Sequence, residues 1–280
     1  MKNLLPRTEF LLQALVKRRD ECPHCHETDT SVVARKHLFV RVRHCDACDL
    51  YFTDPTYEES VFGQLYDGLY GAEGSTTDLP APARLRQLMD TSFRGTDKDC
   101  HARLRALRAL SHGDAFLELG SSWGYLLQQA NEEGFRARGV EISGPRRRFG
   151  IDRLGQDILA SLDEAPEEHF DVVYSAHTLE HFTDLQGVLP QLARRLRPGT
   201  GLLALEVPNF DPVQLGSSVL PTIGAVHPLG FPSGFFPSNL PAAGFTDVQL
   251  FESWRDVPLR PVESSSSDVV IALARRRSER

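Results

Sequence analysis

Three features of this 280-residue chain predict an α/β fold, a sheet with helices on both faces, preceded by a small separate module. From residue 100 onward apolar segments of helical and strand period alternate, which is the pattern of a parallel sheet with crossover helices. One strand-to-helix junction, "FLELGSSWGY" at 116–125, runs from an apolar strand into a glycine-flanked turn at the sheet edge where such folds hold ligands. Nearer the N-terminus, four cysteines fall into two identical spacings, "CPHC" and "CDAC", in a region too short to bury a core of its own.

The composition agrees: 41% hydrophobic and 25% charged residues mark a globular chain and set aside the disordered and fibrous classes. A net charge of -7 means that nucleic acid would have to be met by a local basic patch, so a nucleic-acid partner is not expected. The opening "MKNLLPRTEFLLQALVKRRDE" has an apolar run too short and too interrupted for a membrane span. It also lacks the uncharged core and small-residue cleavage site of a signal peptide. An amphipathic helix packing on the rest of the chain, no membrane partner and a cytoplasmic location are the expectations; the oligomeric state stays open.

Residues 1–55 read as that helix plus a metal-binding module. Cys22 and Cys25, then Cys45 and Cys48 after nineteen intervening residues, can set four thiolates around one zinc ion, with sulfur about 2.3 Å from the metal. A redox dithiol needs only one pair, and a cytoplasmic setting disfavours disulfides. His24, His26 and His44 stand close by as substitute ligands, but four cysteines already fill the shell. A closed four-thiolate site has no open position for substrate, so the zinc is structural. Between the pairs, alternation from Leu38 to Val42 predicts a half-buried strand of a small ribbon. Residues 56–99 form a connector or lid, in which Tyr57, Phe62, Tyr66 and Tyr70 read equally as packing or as ligand-facing. Cys100 has no cysteine near it and reads as an ordinary thiol.

Residues 100–280 carry the sheet. The elements expected in order are the helix "HARLRALRAL", the strand "DAFLELG", the helix "YLLQQANEEG", the strand "FRARGVEIS", a helix around Arg146 to Leu154 and a short strand near Ile158. They continue with the strand "FDVVYSA", the helix "LQGVLPQLARRLRPG" closed by Pro198 and Gly199, and the strands "GLLALEVP", "FTDVQLFES" and "DVVIALARR". Two carboxylates fall at the ligand edge. Glu118 ends the first strand and Glu141 the second, where it can accept both hydroxyls of a ribose. Glu141 reads otherwise as a surface charge at a strand end. The glycine turn itself keeps only Gly120 and Gly124, with Ser122 at the middle position, and is weak as a dinucleotide signature.

"ELGSSWG", "GVEIS", "FDVVYSAHTLEHF", "LARRLRPGTGLLALEVPN" and "HPLGFPSGFFPSNLPAAGF" together resemble the class I S-adenosylmethionine-dependent methyltransferases over most of residues 110–275. The paired cysteine knuckles resemble the zinc module that precedes some of these enzymes, including sugar C-methyltransferases of antibiotic pathways. The resemblance implies a Rossmann-like sheet and S-adenosylmethionine as cofactor. It implies that Glu118 meets the cofactor ammonium, that Gly120 and Gly124 make room for its methionine portion, and that Ser121 and Ser122 bond the amino-acid part. Glu141 with Ile142 would hold the adenosine, Ser161 and Leu162 edge the adenine, and Tyr125, Ser175 and His177 complete the cofactor wall.

Methyl transfer from a sulfonium is an in-line displacement, so a hydroxyl or carbon acceptor must also lose a proton. His177, Glu180 and His181 follow i, i+3, i+4 spacing, which gathers them on one face if a helical turn starts there. In some ubiquinone-type O-methyltransferases that locus holds a divalent metal. His181 reads equally as a base or as a residue that only bonds backbone. His227 lies in a Gly- and Pro-rich loop after "EVPN", where a histidine is more often functional than packed. The expected function is methyl transfer to a small metabolite, a sugar or another secondary-metabolite intermediate, with His227, His181 and Glu180 as the catalytic group. The alternatives are a cofactor-binding but non-catalytic docking protein and a nucleic-acid methyltransferase.

Overall fold

The computed structural model describes residues 19–36, 40–55, 79–213, 215–216, 219–220, 222–224 and 226–278. The expected N-terminal helix, Leu38 of the ribbon strand and the aromatic segment from Tyr57 to Tyr70 lie outside the described residues.

The ribbon comprises β1 (Thr30–Lys36), β2 (Val40–Cys45) and β3 (Leu50–Asp54), joined antiparallel. After it come α1 (Pro82–Asp90), which starts on a proline whose missing N–H costs nothing in a first turn, and α2 (His101–Leu110). The next elements are β4 (Ala115–Leu119), α3 (Tyr125–Glu132), β5 (Arg136–Val140), α4 (Gly144–Leu154), β6 (Asp157–Leu159) and β7 (Val172–Ala176). The chain closes with α5 (Val188–Arg195), β8 (Leu202–Pro208), β9 (Leu229–Gly230), α6 (Phe235–Asn239), β10 (Phe245–Phe251) and β11 (Val269–Arg276). Among the described residues, no helix is long and apolar enough to cross a membrane.

The main sheet has seven strands in the order β10-β11-β8-β7-β4-β5-β6. Six of them point the same way, and β11 runs antiparallel to both its neighbours, β8 and β10. The expected Rossmann-like sheet is present, with β11 set antiparallel within it. No helix separates β10 from β11, and a parallel pair needs a crossover whereas an antiparallel pair does not. Both faces are buried. Leu117, Val173, Leu203 and Val270 pack on one face, with Leu189 and Leu192 of α5. Their neighbours Phe116, Val172, Leu202 and Ile271 pack on the other, with Leu104 of α2 and Leu126 of α3. That period of two across strands, matched by Leu189 and Leu192 three apart on α5, places helices on both faces as expected.

The ribbon does not stand apart. β9 adds a fourth strand to it, pairing Leu229 with Phe52 and Gly230 with Tyr51. Cys22, Cys45, Cys48, Leu50 and Phe52 share one apolar cluster with Leu117, Leu119 and Leu189. A module too short for its own core therefore borrows one from the sheet.

Candidate active site

From β4 the chain builds β5 and β6 on one side and then returns to β7 on the other. A crevice opens at the carboxyl ends of strands where the order reverses in this way. It forms a cavity of about 640 Å³ lined by Glu118, Gly120, Ser122, Glu141, His177 and Glu180 among others, a size that suits small-molecule ligands.

On one wall, Glu118 is 5% exposed, and its Oε2 has no hydrogen-bond partner among the described residues. Burial drives this carboxyl well above the usual carboxylate range, against the pull of the Arg103 guanidinium. A buried orphan oxygen facing a cavity calls for a donor from a ligand. The turn after it is held by its own backbone: the Gly120 and Ser121 N–H groups both donate to the Val140 carbonyl, at 2.9 and 3.0 Å. Gly120 has φ +82°, and a Cβ there would fall onto the Thr178 hydroxyl, so only glycine fits. Ser122 takes φ +50°, a conformation that costs a non-glycine residue roughly 1–2 kcal/mol. Its N–H donates to Glu141 Oε2 at 2.8 Å, while the Ser143 N–H donates to Glu141 Oε1 at 2.8 Å. Glu141 thus anchors the turn.

The imidazoles line the same cavity. His177 follows β7 at φ +48°, and the turn Leu179–His181 is 3₁₀, so no α-helical face forms across 177–181. His177 Nδ1 lies 3.6 Å from Glu180 Oε1 and its Nε2 lies 3.2 Å from Glu206 Oε1. Glu180 first and then Glu206 push this imidazole up to about 9. Glu206 also faces Arg103 at 3.4 Å and accepts from the Trp254 indole N–H, while Arg103 donates to the Tyr174 hydroxyl at 2.9 Å. His181 Nδ1 donates to the Val226 carbonyl at 2.7 Å, which fixes the proton there and the lone pair on Nε2. The His181 and His227 rings stand 4.7 Å apart at 70°. Burial lowers both; His177 lowers each further, and His181 lowers His227. Ligand atoms of Glu180, His181 and His227 lie within 4.8 Å of one another. Glu180 is buried, and neither carboxylate oxygen has a hydrogen-bond partner among the described residues.

A model of the methyltransferase domain matches residues 94–254, which include both walls. The chain belongs to this family. It is a class I S-adenosylmethionine-dependent methyltransferase, and the orphan oxygen of Glu118 at the cavity fits a cationic cofactor. No curated protein matches the methyltransferase. Among solved structures it is similar to a Haemonchus contortus phosphoethanolamine N-methyltransferase 2 in complex with S-adenosyl-L-methionine. That match has a TM-score of 0.57 and 12% identity, over 99% of this chain and 75% of that one. It is similar also to a TehB-like methyltransferase from Corynebacterium glutamicum, at TM-score 0.50 and 19% identity over 70% and 95% of the two chains. The YcgJ protein from Bacillus subtilis matches at TM-score 0.50 and 13% identity, over 65% and 100%. At these identities the likeness is one of fold.

Of the residues singled out from sequence, the cavity of this methyltransferase brings together Glu118, Gly120, Ser122, Tyr125, Glu141, Ile142, His177, Glu180, His181 and His227. Ser121, Gly124, Ser161, Leu162 and Ser175 are not among its lining residues. Ser121 packs where a side chain on Gly139 would otherwise reach, Ser161 caps a 3₁₀ turn through the Asp163 N–H, and the Ser175 hydroxyl donates to the Leu119 carbonyl at 3.2 Å. Sequence reasoning missed Arg103 and Glu206, and left Cys100, which lines the cavity with its thiol pushed up to about 12 by burial, as an ordinary thiol. The signal for Glu206 was a lone charge inside the apolar strand "GLLALEVP".

In the ribbon, ligand atoms of Cys22, Cys25, Cys45 and Cys48 lie within 4.8 Å of one another, with closest sulfur pairs at 3.5 Å, and all four are free thiols. The Cys22 thiol is pulled down to about 5, chiefly by the hydrogen bond from the Cys48 thiol. A tetrahedron with arms of about 2.3 Å has edges of about 3.8 Å, so the set fits a metal ion bound by four thiolates.

Proposed function

We propose that this methyltransferase acts on a small metabolite, a sugar or another secondary-metabolite intermediate, and that His227 removes the acceptor's proton beside His181 and Glu180. Bound in the cavity, S-adenosylmethionine supplies an electrophilic methyl group on a sulfonium, transferred by in-line displacement. Glu118 would take the cofactor ammonium, Gly120 would admit its methionine portion, and Glu141 would accept from the ribose hydroxyls. The imidazole of His227 would take the acceptor's X–H proton as the methyl group is transferred. The carboxylate of Glu180 stabilises the resulting imidazolium, and His181, with its proton fixed on Nδ1 by the Val226 carbonyl, holds the ring edge-on. The same reading puts a structural zinc ion on Cys22, Cys25, Cys45 and Cys48.

The observation that carries this reading is the pair of imidazoles, 4.7 Å apart, that line the same cavity as Glu118 and Glu141 and are lowered by burial. A labelled-methyl screen over sugar nucleotides and small secondary metabolites identifies the acceptor. With that acceptor, His227→Asn is expected to keep cofactor affinity and lower kcat by about 10² to 10⁴-fold, the usual contribution of a placed general base. If His181→Asn abolishes turnover and His227→Asn does not, the base is His181. If turnover of the zinc-loaded enzyme rises with added magnesium or manganese, the three side chains hold a cation instead.

A further inference from the structure

We propose that the cysteine ribbon is the positioning element of the acceptor wall: it grips the segment that carries Glu180 and His181 and the segment that carries His227, and so sets one against the other. The inference rests on the proton-removal reading only for its bearing on catalysis; the grip itself is a matter of contacts.

The first knuckle holds the 179–185 segment. Leu185 donates its backbone N–H to the Pro23 carbonyl at 2.9 Å, inside "CPHC". Arg19, three residues before Cys22, donates to the Thr183 carbonyl at 3.2 Å and faces Asp184 at 3.9 Å. Thr183 and Asp184 line the cavity beside Glu180 and His181.

The ribbon sheet and the second knuckle hold the 227–239 segment. The Thr53 N–H donates to the carbonyl of Pro228, the residue after His227, at 2.9 Å, and β3 then pairs with β9 over the next two residues. Further on, the Asn239 side chain spans both knuckles. Its Nδ2 donates to the Cys48 carbonyl at 2.9 Å, and its Oδ1 meets His24 Nε2 at 3.1 Å. His24 in turn packs edge-on against Phe235, ring centroids 5.1 Å apart. Three of the four cysteines are buried in the cluster that holds Leu179, Leu185, Leu229 and Phe231.

The cofactor wall is tied differently. Gly120 and Ser121 hang on Val140, and Ser122 and Ser143 hang on Glu141, all within the β4–β5 edge of the main sheet. The ribbon hydrogen bonds just named all end on the 179–185 and 227–239 segments, although the cysteines also pack in the cluster that holds Leu119 and Val140. A metal that fixes the two knuckles relative to each other therefore fixes the spacing of His181 and His227, while the hydrogen bonds that hold the Gly120–Ser122 turn run to Val140 and Glu141 and not to the ribbon.

The test strips the metal from the full chain with a chelator, confirms its loss by elemental analysis, and reads two quantities. One is the affinity for S-adenosylhomocysteine by calorimetry; the other is the titration of the His227 ring by NMR, assigned with His227→Asn. The expected result is a Kd within about twofold of the untreated protein and a His227 pKa that rises toward the ordinary value of about 6.5 as its burial and its contact with His181 are lost. Should stripping unfold the chain, Asn239→Ala cuts the latch with all four cysteines in place, and the same pair of readings is expected with full metal content. An unmoved His227 titration, or a loss of cofactor affinity as large as the change on the acceptor wall, overturns the proposal. Turnover that survives His227→Asn would defeat the proton-removal reading and leave this outcome intact.

Discussion

Glu141→Ala removes the acceptor of two backbone N–H groups at 2.8 Å, those of Ser122 and Ser143. Hydrogen bonds to a carboxylate contribute about 1.5–3 kcal/mol each. With the carboxylate gone, two amides in a wall that is nearly closed to water lose their acceptor, and Ser122 at φ +50° loses the tie that offsets its backbone strain. If only one such bond's lower value is felt in cofactor binding, about 1.5 kcal/mol, the Kd for S-adenosylhomocysteine rises about tenfold; twice that gives about 10²-fold. Calorimetry on the wild type, Glu141→Ala and Glu141→Gln is the assay, with the glutamine variant expected between the other two because it keeps one acceptor oxygen. Wild-type affinity and wild-type Tm in Glu141→Ala together would show that both the ribose role and the anchoring of the turn are wrong.

Gly120→Ala places a Cβ on the Thr178 hydroxyl at φ +82° and should weaken S-adenosylhomocysteine binding at least about tenfold, from about 1–2 kcal/mol of strain plus the displaced threonine; equal binding in a calorimetric titration would contradict it. Freshly prepared, reduced protein should carry about one zinc per chain, and elemental analysis that finds none would remove the four-thiolate reading. His177, raised to about 9 by Glu180 and Glu206, adds stability that is full below about pH 6.5 and is lost as pH rises through about 9; in a series of Tm against pH, Glu206→Gln should flatten that decline. His181 and His227 are lowered instead, so their neutral forms persist below pH 6.5 and the acid limb of kcat should fall below that value; a limb centred above it would show that neither ring is the base.

The main sheet was legible because its strands are near-continuous apolar runs bounded by turn residues, and Leu189, Leu192 and Ala193 keep a helical period between two of them. Strand direction was not, since period carries no sense of direction; only the missing helix between Phe251 and Val269 pointed to an antiparallel end. Glu118, Gly120 and Glu141 were readable because each stands at a strand end, where chain order alone sets the ligand edge. Arg103 was hidden in a helix rich in arginine, of which this one turns inward to Glu206 and Tyr174. The nearness of His227 to His181, 46 positions apart, needed β9, a two-residue strand that pairs with the ribbon and that no local pattern announces.

Whether the crevice beside Glu118 and Glu141 is a methyl-donor site is decided by calorimetric titration of the intact chain with S-adenosylhomocysteine. Saturable binding at about one molecule per chain is expected, weakened by Gly120→Ala and by Glu141→Ala but not by His227→Asn. Absence of binding to a folded, zinc-loaded chain, or binding that neither Gly120→Ala nor Glu141→Ala disturbs, would contradict it.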